Sequence, residues 1–376
     1  MNPIIKEIST FRKQLHQAPE ISGEEKYTSR KIKSYFETLS PDEIVEGLGE
    51  HGLAIVFNGD EKGPSTLFRA ELDALPITEN NNFAYKSNTP GVAHSCGHDG
   101  HMAILCGIGL TLSKQRPKKG RVILLFQPAE ETGMGAKEVI DSPNYKKIIP
   151  DFAFALHNLP GYTLGEVVLK KGAFTAASKG MIIALKGRTS HAAHPEDAIS
   201  PANAICQLIS ALQELPNQVS GFSLVTIIHA QLGEVAFGTT PGEAKVMATL
   251  RTFDNDIMTN LTDNACTISR RIAADQGLEC SISFTEEFQV VENEMKAGEL
   301  VNEAVDNLGL QKRQATEPFR WSEDFGVLSA TTKSYLFGLG SGVNHPQLHE
   351  NSYDFPDELL PIGVDIFRTI IQRLNH

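Results

Sequence analysis

Apolar residues recur along this chain with two different periods, and the changes of period mark its elements. From about residue 3 to residue 17 the apolar positions fall at helical spacing. Ser22, with Glu25 three residues on, has capping-box spacing and predicts a second helix ending near Thr38. Strand-like runs follow at residues 53–58 and 66–70, and a stretch rich in Ala, Ile, Leu and Gly predicts a helix over 99–113. Residues 122–126 and 152–156 are short unbroken apolar runs, as strands buried on both faces should be, with a helix predicted between them over 133–140. This alternation predicts an α/β fold: a mixed sheet with parallel members and helices on both faces.

Near Lys179 the pattern changes. Strands at residues 181–185, 223–230, 245–251 and 279–286, with helices over 201–215 and 254–274, predict a smaller α+β domain inserted into the first. After Val290 the earlier alternation resumes, with a helix over 299–308, a strand at 333–336 and a last helix over 362–374. The predicted division is therefore 1–178 with 290–376 in one domain and 179–289 in the other.

Composition narrows the function classes. Hydrophobic residues make up 41% and charged residues 21% of 376, a globular balance too apolar for a disordered chain and long enough for two cores. The formal charge is -12, from 34 Lys and Arg against 46 Asp and Glu. The nearest thing to a basic run, Arg116-Pro117-Lys118-Lys119, is short, so neither a nucleic-acid partner nor an anionic membrane is expected. The first residues carry charge and lack a signal peptide's apolar core, and five scattered cysteines make no disulfide framework; both fit a cytoplasmic protein.

Four polar segments carry candidate chemistry: His94-Ser95-Cys96-Gly97-His98-Asp99-Gly100-His101, Gln127-Pro128-Ala129-Glu130-Glu131, His157-Asn158, and His345-Pro346-Gln347-Leu348-His349-Glu350. Glu130-Glu131 and His157 each fall just past an apolar strand, on the rim where α/β sheets bind ligands. Thiolate, imidazole and carboxylate are the side chains that hold a borderline-soft divalent cation. Taken singly, each has a plainer reading. Cys96 is a small buried hydrophobe, His98 and His101 share a helix face where either is an outer partner, and the glutamates favour a helix dipole.

Together these segments resemble the metal-dependent aminoacylase and carboxypeptidase family, in the branch of indole-acetyl-amino-acid hydrolases, hippurate hydrolases and N-acetyl-diaminopimelate deacetylases. The resemblance runs over nearly the whole chain. It includes His16-Gln17-Ala18-Pro19-Glu20, Arg69-Ala70-Glu71-Leu72-Asp73-Ala74-Leu75-Pro76-Ile77, Ser190-His191-Ala192-Ala193 and Trp321-Ser322-Glu323-Asp324-Phe325. It implies that Cys96, His98, Glu131, His157 and His349 hold two divalent metals, with zinc, manganese, nickel and cobalt all suiting such mixed ligands. It further implies Glu130 as general acid/base and His191, in the inserted domain, as a histidine reaching over the substrate. That domain would be a lid or dimerisation domain, which makes a homodimer an expectation.

The chain departs from the family in two places. Glu71 stands where the family has Asp, and residues 236–243 carry no Asn before Pro241. Both bear on substrate choice. The implied activity is cleavage of the amide bond of N-acyl amino acids by a metal-activated water. A dipeptidase or aminopeptidase with the same metals and a non-catalytic metal-binding protein are the alternatives. A redox thiol enzyme ranks lower, because Cys96 has no Cys-x-x-Cys partner.

Overall fold

The apolar runs form strands that extend past their apolar centres. The computed structural model describes residues 3–376. In chain order, α1 (Pro3–His16) and α2 (Lys26–Glu37) precede β1 (Glu43–Leu48), β2 (Gly52–Asn58) and β3 (Glu61–Glu71). Next come α3 (His98–Lys114), β4 (Lys119–Gln127), α4 (Gly135–Asp141), β5 (Phe152–Pro160), and the short β6 (Val167–Leu169) and β7 (Gly172–Ala173). The middle of the chain forms β8 (Ala177–Lys186), α5 (Ala202–Glu214), β9 (Ser223–Leu232), β10 (Glu243–Thr252), α6 (Asn255–Asp275) and β11 (Glu279–Phe288). The rest is β12 (Glu292–Asn293), α7 (Met295–Asn307), β13 (Lys312–Gln314), α8 (Gly326–Ser329), β14 (Lys333–Gly342) and α9 (Leu359–Asn375). No described helix is long and apolar enough to cross a membrane.

These elements make two units. One is built from the chain up to Phe174 with Val291–Pro318 and Glu323–His376, the other from Thr175–Val290 with Phe319–Ser322. The first holds an eight-stranded mixed sheet in the order β1-β2-β4-β3-β5-β14-β6-β13. Its centre, β4-β3-β5-β14, is parallel throughout, and Phe68 pairs with Leu124 on one side and Phe154 on the other. Those three side chains share a core with Ile104 of α3 and Phe367 of α9. The alternate residues Ile123, Leu125, Ala153 and Ala155 are buried just as fully. Burial on both faces is why these strands read as unbroken apolar runs, each large side chain contributing about 1.5–3 kcal/mol.

The second unit is an antiparallel sheet in the order β11-β8-β10-β9, with α5 and α6 packed on it. Along β10 the even positions from Ala244 to Thr252 are buried and the odd ones are not, the period-2 signature of a one-sided sheet. Asp254 caps α6 by accepting from the N–H groups of Asp256 (2.8 Å) and Ile257 (2.9 Å).

The capping box expected at Ser22 does not form. The first amides of α2 are taken by Glu20, whose carboxylate accepts from Tyr27 N–H at 3.1 Å and Thr28 N–H at 2.6 Å. Ser22 Oγ donates instead to Asp73 Oδ2 at 2.7 Å. A distant carboxylate has outcompeted the local motif.

Buried charges fasten α1 to α3 and to the segment before α9. Arg12, 1% exposed, donates to Asp99 (2.9 Å), Asp354 (2.9 Å) and Asp357 (2.6 Å). His16 lies 2.9 Å from Asp99 Oδ2 and 3.3 Å from Glu79 Oε1. Burial alone would lower the His16 pKa, but the charge and hydrogen bond of Asp99, with Glu79, raise it to about 9. The folded value lies above the unfolded one of about 6.5. The stabilisation is therefore whole below that pH, declines through the interval and is gone above about 9. The expected loss is on the order of 3 kcal/mol, read as the difference in urea unfolding free energy between the two ends of the interval. If His16→Gln protein loses as much stability over the same interval, His16 is not its source.

Candidate metal centre

Four segments converge near the carboxyl ends of the parallel strands β3, β4 and β5. The first is the turn that leads into α3. Gly97 sits there at φ +92°, and a Cβ at that position would lie 2.5 Å from Asn158 Oδ1, so only glycine fits. The turn presents Cys96, 6% exposed, whose Sγ lies 3.5 Å from His157 Nε2 at the end of β5. His157 Nδ1 donates to the Asn158 carbonyl at 2.9 Å, which fixes the tautomer and leaves Nε2 as the ring's acceptor atom.

His98 opens α3. Its Nδ1 lies 2.9 Å from the Asp73 carbonyl and 3.2 Å from Asp73 Oδ1, just past the end of β3. Its Nε2 faces Glu130 Oε2 at 3.9 Å and Glu131 Oε1 at 3.8 Å. Glu131 Oε2 lies 3.6 Å from His349 Nε2. His349 holds φ +66°, a left-handed backbone for a residue with a Cβ, and its N–H donates to Ser95 O at 2.8 Å. Ligating atoms of Cys96, His98 and His157 all lie within 4.8 Å of one another, as do those of Cys96, Glu131 and His349, and those of His98, Glu130 and Glu131.

The electrostatics fit cations. His98 Nε2 and Glu131 Oε1, 3.8 Å apart, are buried with no hydrogen-bond partner. Such atoms are costly to leave unmade and are here grouped around one small space. Burial, then the charges of Glu131 and Glu130, pushes the Cys96 thiol well above its usual range. Burial likewise raises the Glu131 carboxyl to about 7 against the pull of His98, and lowers His157 to about 3. Positive charge at the centre reverses these penalties and suits thiolate, carboxylate and neutral imidazole together.

Residues 67–373 match the sequence profile of peptidase family M20/M25/M40. The chain belongs to that family. N-acetyldiaminopimelate deacetylase of Priestia megaterium is 31% identical over 94% of this chain and 96% of its own length. Hippurate hydrolase of Campylobacter jejuni is 32% identical over 94% and 93% respectively. Among solved structures, a Bacillus subtilis protein described as a dinuclear metal binding peptidase from the M20 family superposes with a TM-score of 0.84. The two are 27% identical, over 100% of this chain and 99% of that one.

Around this candidate site the sequence marks His101 as an outer partner and Glu71 as a departure from the family, but assigns Asp73, Glu323 and Asp324 no role. Asp73 touches both sides of the centre, facing His98 and accepting from Glu131 N–H at 2.9 Å. His101 is not among the converging groups around Cys96. It bridges Glu71 Oε2 (2.6 Å) and Asn158 Oδ1 (2.6 Å), and Asn158 Nδ2 donates to the Cys96 carbonyl at 3.1 Å. Glu71, the family departure, therefore serves the centre through a histidine and an asparagine. Glu323 and Asp324 arrive from far along the chain to flank Glu130. For Asp73 the signal was position, a polar residue just past the carboxyl end of the parallel strand β3; Glu323 and Asp324, in the loop before α8, carry no such signal.

His191, in the second unit, lies beside the strand-like bridge His191–Thr239. Its Nδ1 accepts from Ala193 N–H at 3.0 Å, so the ring's proton resides on Nε2 and makes it a donor.

Proposed function

We propose that this chain hydrolyses the amide bond of N-acyl amino acids, using two divalent cations held by Cys96, His98, Glu131, His157 and His349. The observation that carries the reading is the pair Glu130-Glu131. Both carboxylates face His98 Nε2, Glu131 at 3.8 Å and Glu130 at 3.9 Å, and Glu131 also reaches His349, which supports Glu131 as the ligand and Glu130 as the proton carrier beside it. The named relatives act on N-acetyldiaminopimelate and on hippurate, both N-acyl amino acids, which supports the substrate class.

A divalent pair held there would lower the pKa of a water toward about 7 and polarise the amide carbonyl. Glu130 takes the proton of the attacking water and delivers it to the leaving amine nitrogen. Burial, then Glu323, Glu131 and Asp324, raises its carboxyl well above the usual range, and cations held beside it would bring it back down to where it can accept a proton. Asp73 orients His98 and Glu131, and the Asn158 carbonyl orients His157. His191 is assigned the substrate's carbonyl oxygen, to which it donates from Nε2. Cys96 ligates as thiolate, so a reducing compartment, the cytoplasm, belongs to the proposal.

Two measurements test it. The protein loaded in turn with zinc, manganese, nickel or cobalt should cleave N-acetyl amino acids in preference to free dipeptides; the reverse preference makes it a dipeptidase. Cys96→Ala should bind fewer than two equivalents of metal by elemental analysis, and full loading of that variant would remove Cys96 from the ligands. We further assign the second unit as a lid or dimerisation domain. In support, β9 is an edge strand that exposes Leu224, Ile228 and Leu232. A sedimentation mass of two chains is expected, and a mass of one overturns the dimer.

A further inference from the structure

Between the end of β4 and the start of α4 runs the turn that carries Glu130 and Glu131. Ala129 within it holds φ +49°, a left-handed conformation strained for a residue with a Cβ. Such a conformation persists only where its surroundings hold it. Three carboxylates from elsewhere in the chain do so. Glu25 Oε1 accepts from Ala129 N–H at 2.7 Å, and Asp73 Oδ2 from Glu131 N–H at 2.9 Å.

The third is Asp324, fully buried and 194 residues beyond Glu130. Its Oδ1 accepts from Arg69 Nη2 at 2.5 Å and from Gln127 Nε2 at 2.9 Å. Its Oδ2 accepts from Gln127 Nε2 at 2.8 Å and from the Ala136 N–H at 2.8 Å. Gln127 and Ala136 are the two feet of the turn. The N–H of Asp324 itself points at Glu130 Oε1 from 3.4 Å.

We infer that Asp324 is the positioning residue for Glu130: it pins both feet of the strained turn and aims a backbone N–H at one Glu130 oxygen, leaving the other on the side of His98. Its consequence for turnover rests on the proposed amide hydrolysis; its hold on the turn does not. The side chain of Asp324 touches no ligating residue, so its effect passes through geometry.

The test uses the full chain as wild type, Asp324→Asn, and Asp324→Asn with Gln127→Glu. In the single variant the new amide faces Gln127 Nε2, donor against donor, while Arg69 keeps Glu71 and Glu323 as partners. In the double variant a carboxylate at position 127 accepts from that amide and still accepts from Arg69 Nε, which now reaches Gln127 Oε1 at 3.0 Å. Hydrogen exchange read by mass spectrometry, with and without added manganese, should be about tenfold faster over residues 128–136 in the single variant, with β4 unchanged. On an N-acetyl amino acid, kcat should fall roughly tenfold to a hundredfold, with KM within about twofold and metal content unchanged. The double variant should restore both. Unchanged exchange over 128–136, acceleration spread across the whole unit, or no recovery in the double variant overturns the inference. If wild-type protein cleaves no N-acyl amino acid, the amide-hydrolysis reading fails, while the exchange measurement still decides the role of Asp324.

Discussion

Replacing Glu130 by Gln is expected to lower kcat by about a thousandfold or more while both cations stay bound. Proton transfer by a positioned group contributes roughly 10²–10⁴-fold, and Glu130 is assigned two transfers, from the water and to the amine. The change is nearly isosteric. Glu130 accepts one long contact, from the Asp324 N–H at 3.4 Å, which an amide oxygen also satisfies. Removing a carboxylate from beside Glu323, Glu131 and Asp324 also relieves repulsion, so the fold should hold or gain slightly. Loss of turnover therefore reads as lost chemistry. Turnover within tenfold of wild type, with metal content intact, would falsify the assignment.

The largest effect on stability is expected from Arg69→Met. Arg69 is 1% exposed and stands among Glu71, Glu323 (2.8 Å) and Asp324 (2.5 Å), with Gln127 Oε1 at 3.0 Å from its Nε. Burial opposes the Glu71 charge, but Arg69, with His101, holds its carboxyl well below the usual range. Methionine fills much of the volume and leaves three carboxylates without their cation. Breaking a buried pair in this way costs about 3–5 kcal/mol, a large share of a typical folding free energy of about 5–15 kcal/mol. For a unit of this size a drop in Tm on the order of 10 °C should follow. Arg69→Lys should recover only part of it, since a single ammonium cannot fork to three acceptors. A Tm unchanged within about 2 °C in Arg69→Met would mean that these carboxylates are not charged in the folded protein.

Much of this molecule was legible in its residues, and the legible part has one physical character. Elements with an unbroken apolar run or a long amphipathic stretch, such as β4, β5, α3 and α6, were visible because burial writes itself into local sequence. Strand β1, with one edge of the sheet to itself and only Val45 and Leu48 buried, left no comparable trace. The helix cap failed for the opposite reason: the spacing was right, but Asp73 claimed Ser22 and Glu20 claimed the amides. The proposed ligating groups stood out as chemical types in unusual company. Their supports did not. Glu71 against His101, Asp73 against His98 and Glu131, and Asp324 against Glu130 are contacts between residues far apart in sequence, and no local period encodes them. Nor does composition reveal a left-handed backbone at Ala129 or His349.

The order of strands has a consequence for how the protein is made. In the large sheet, β14 lies between β5 and β6, pairing parallel with one and antiparallel with the other. As the chain leaves the ribosome, β5 and β6 emerge early and must wait for the strand that joins them. By then nearly all of the second unit, Thr175–Val290, has been synthesised and is free to fold. His349 emerges later still. Until His349 has been translated, at most four of the five proposed ligands exist, and a nascent polypeptide would have no finished site in which to trap the wrong ion.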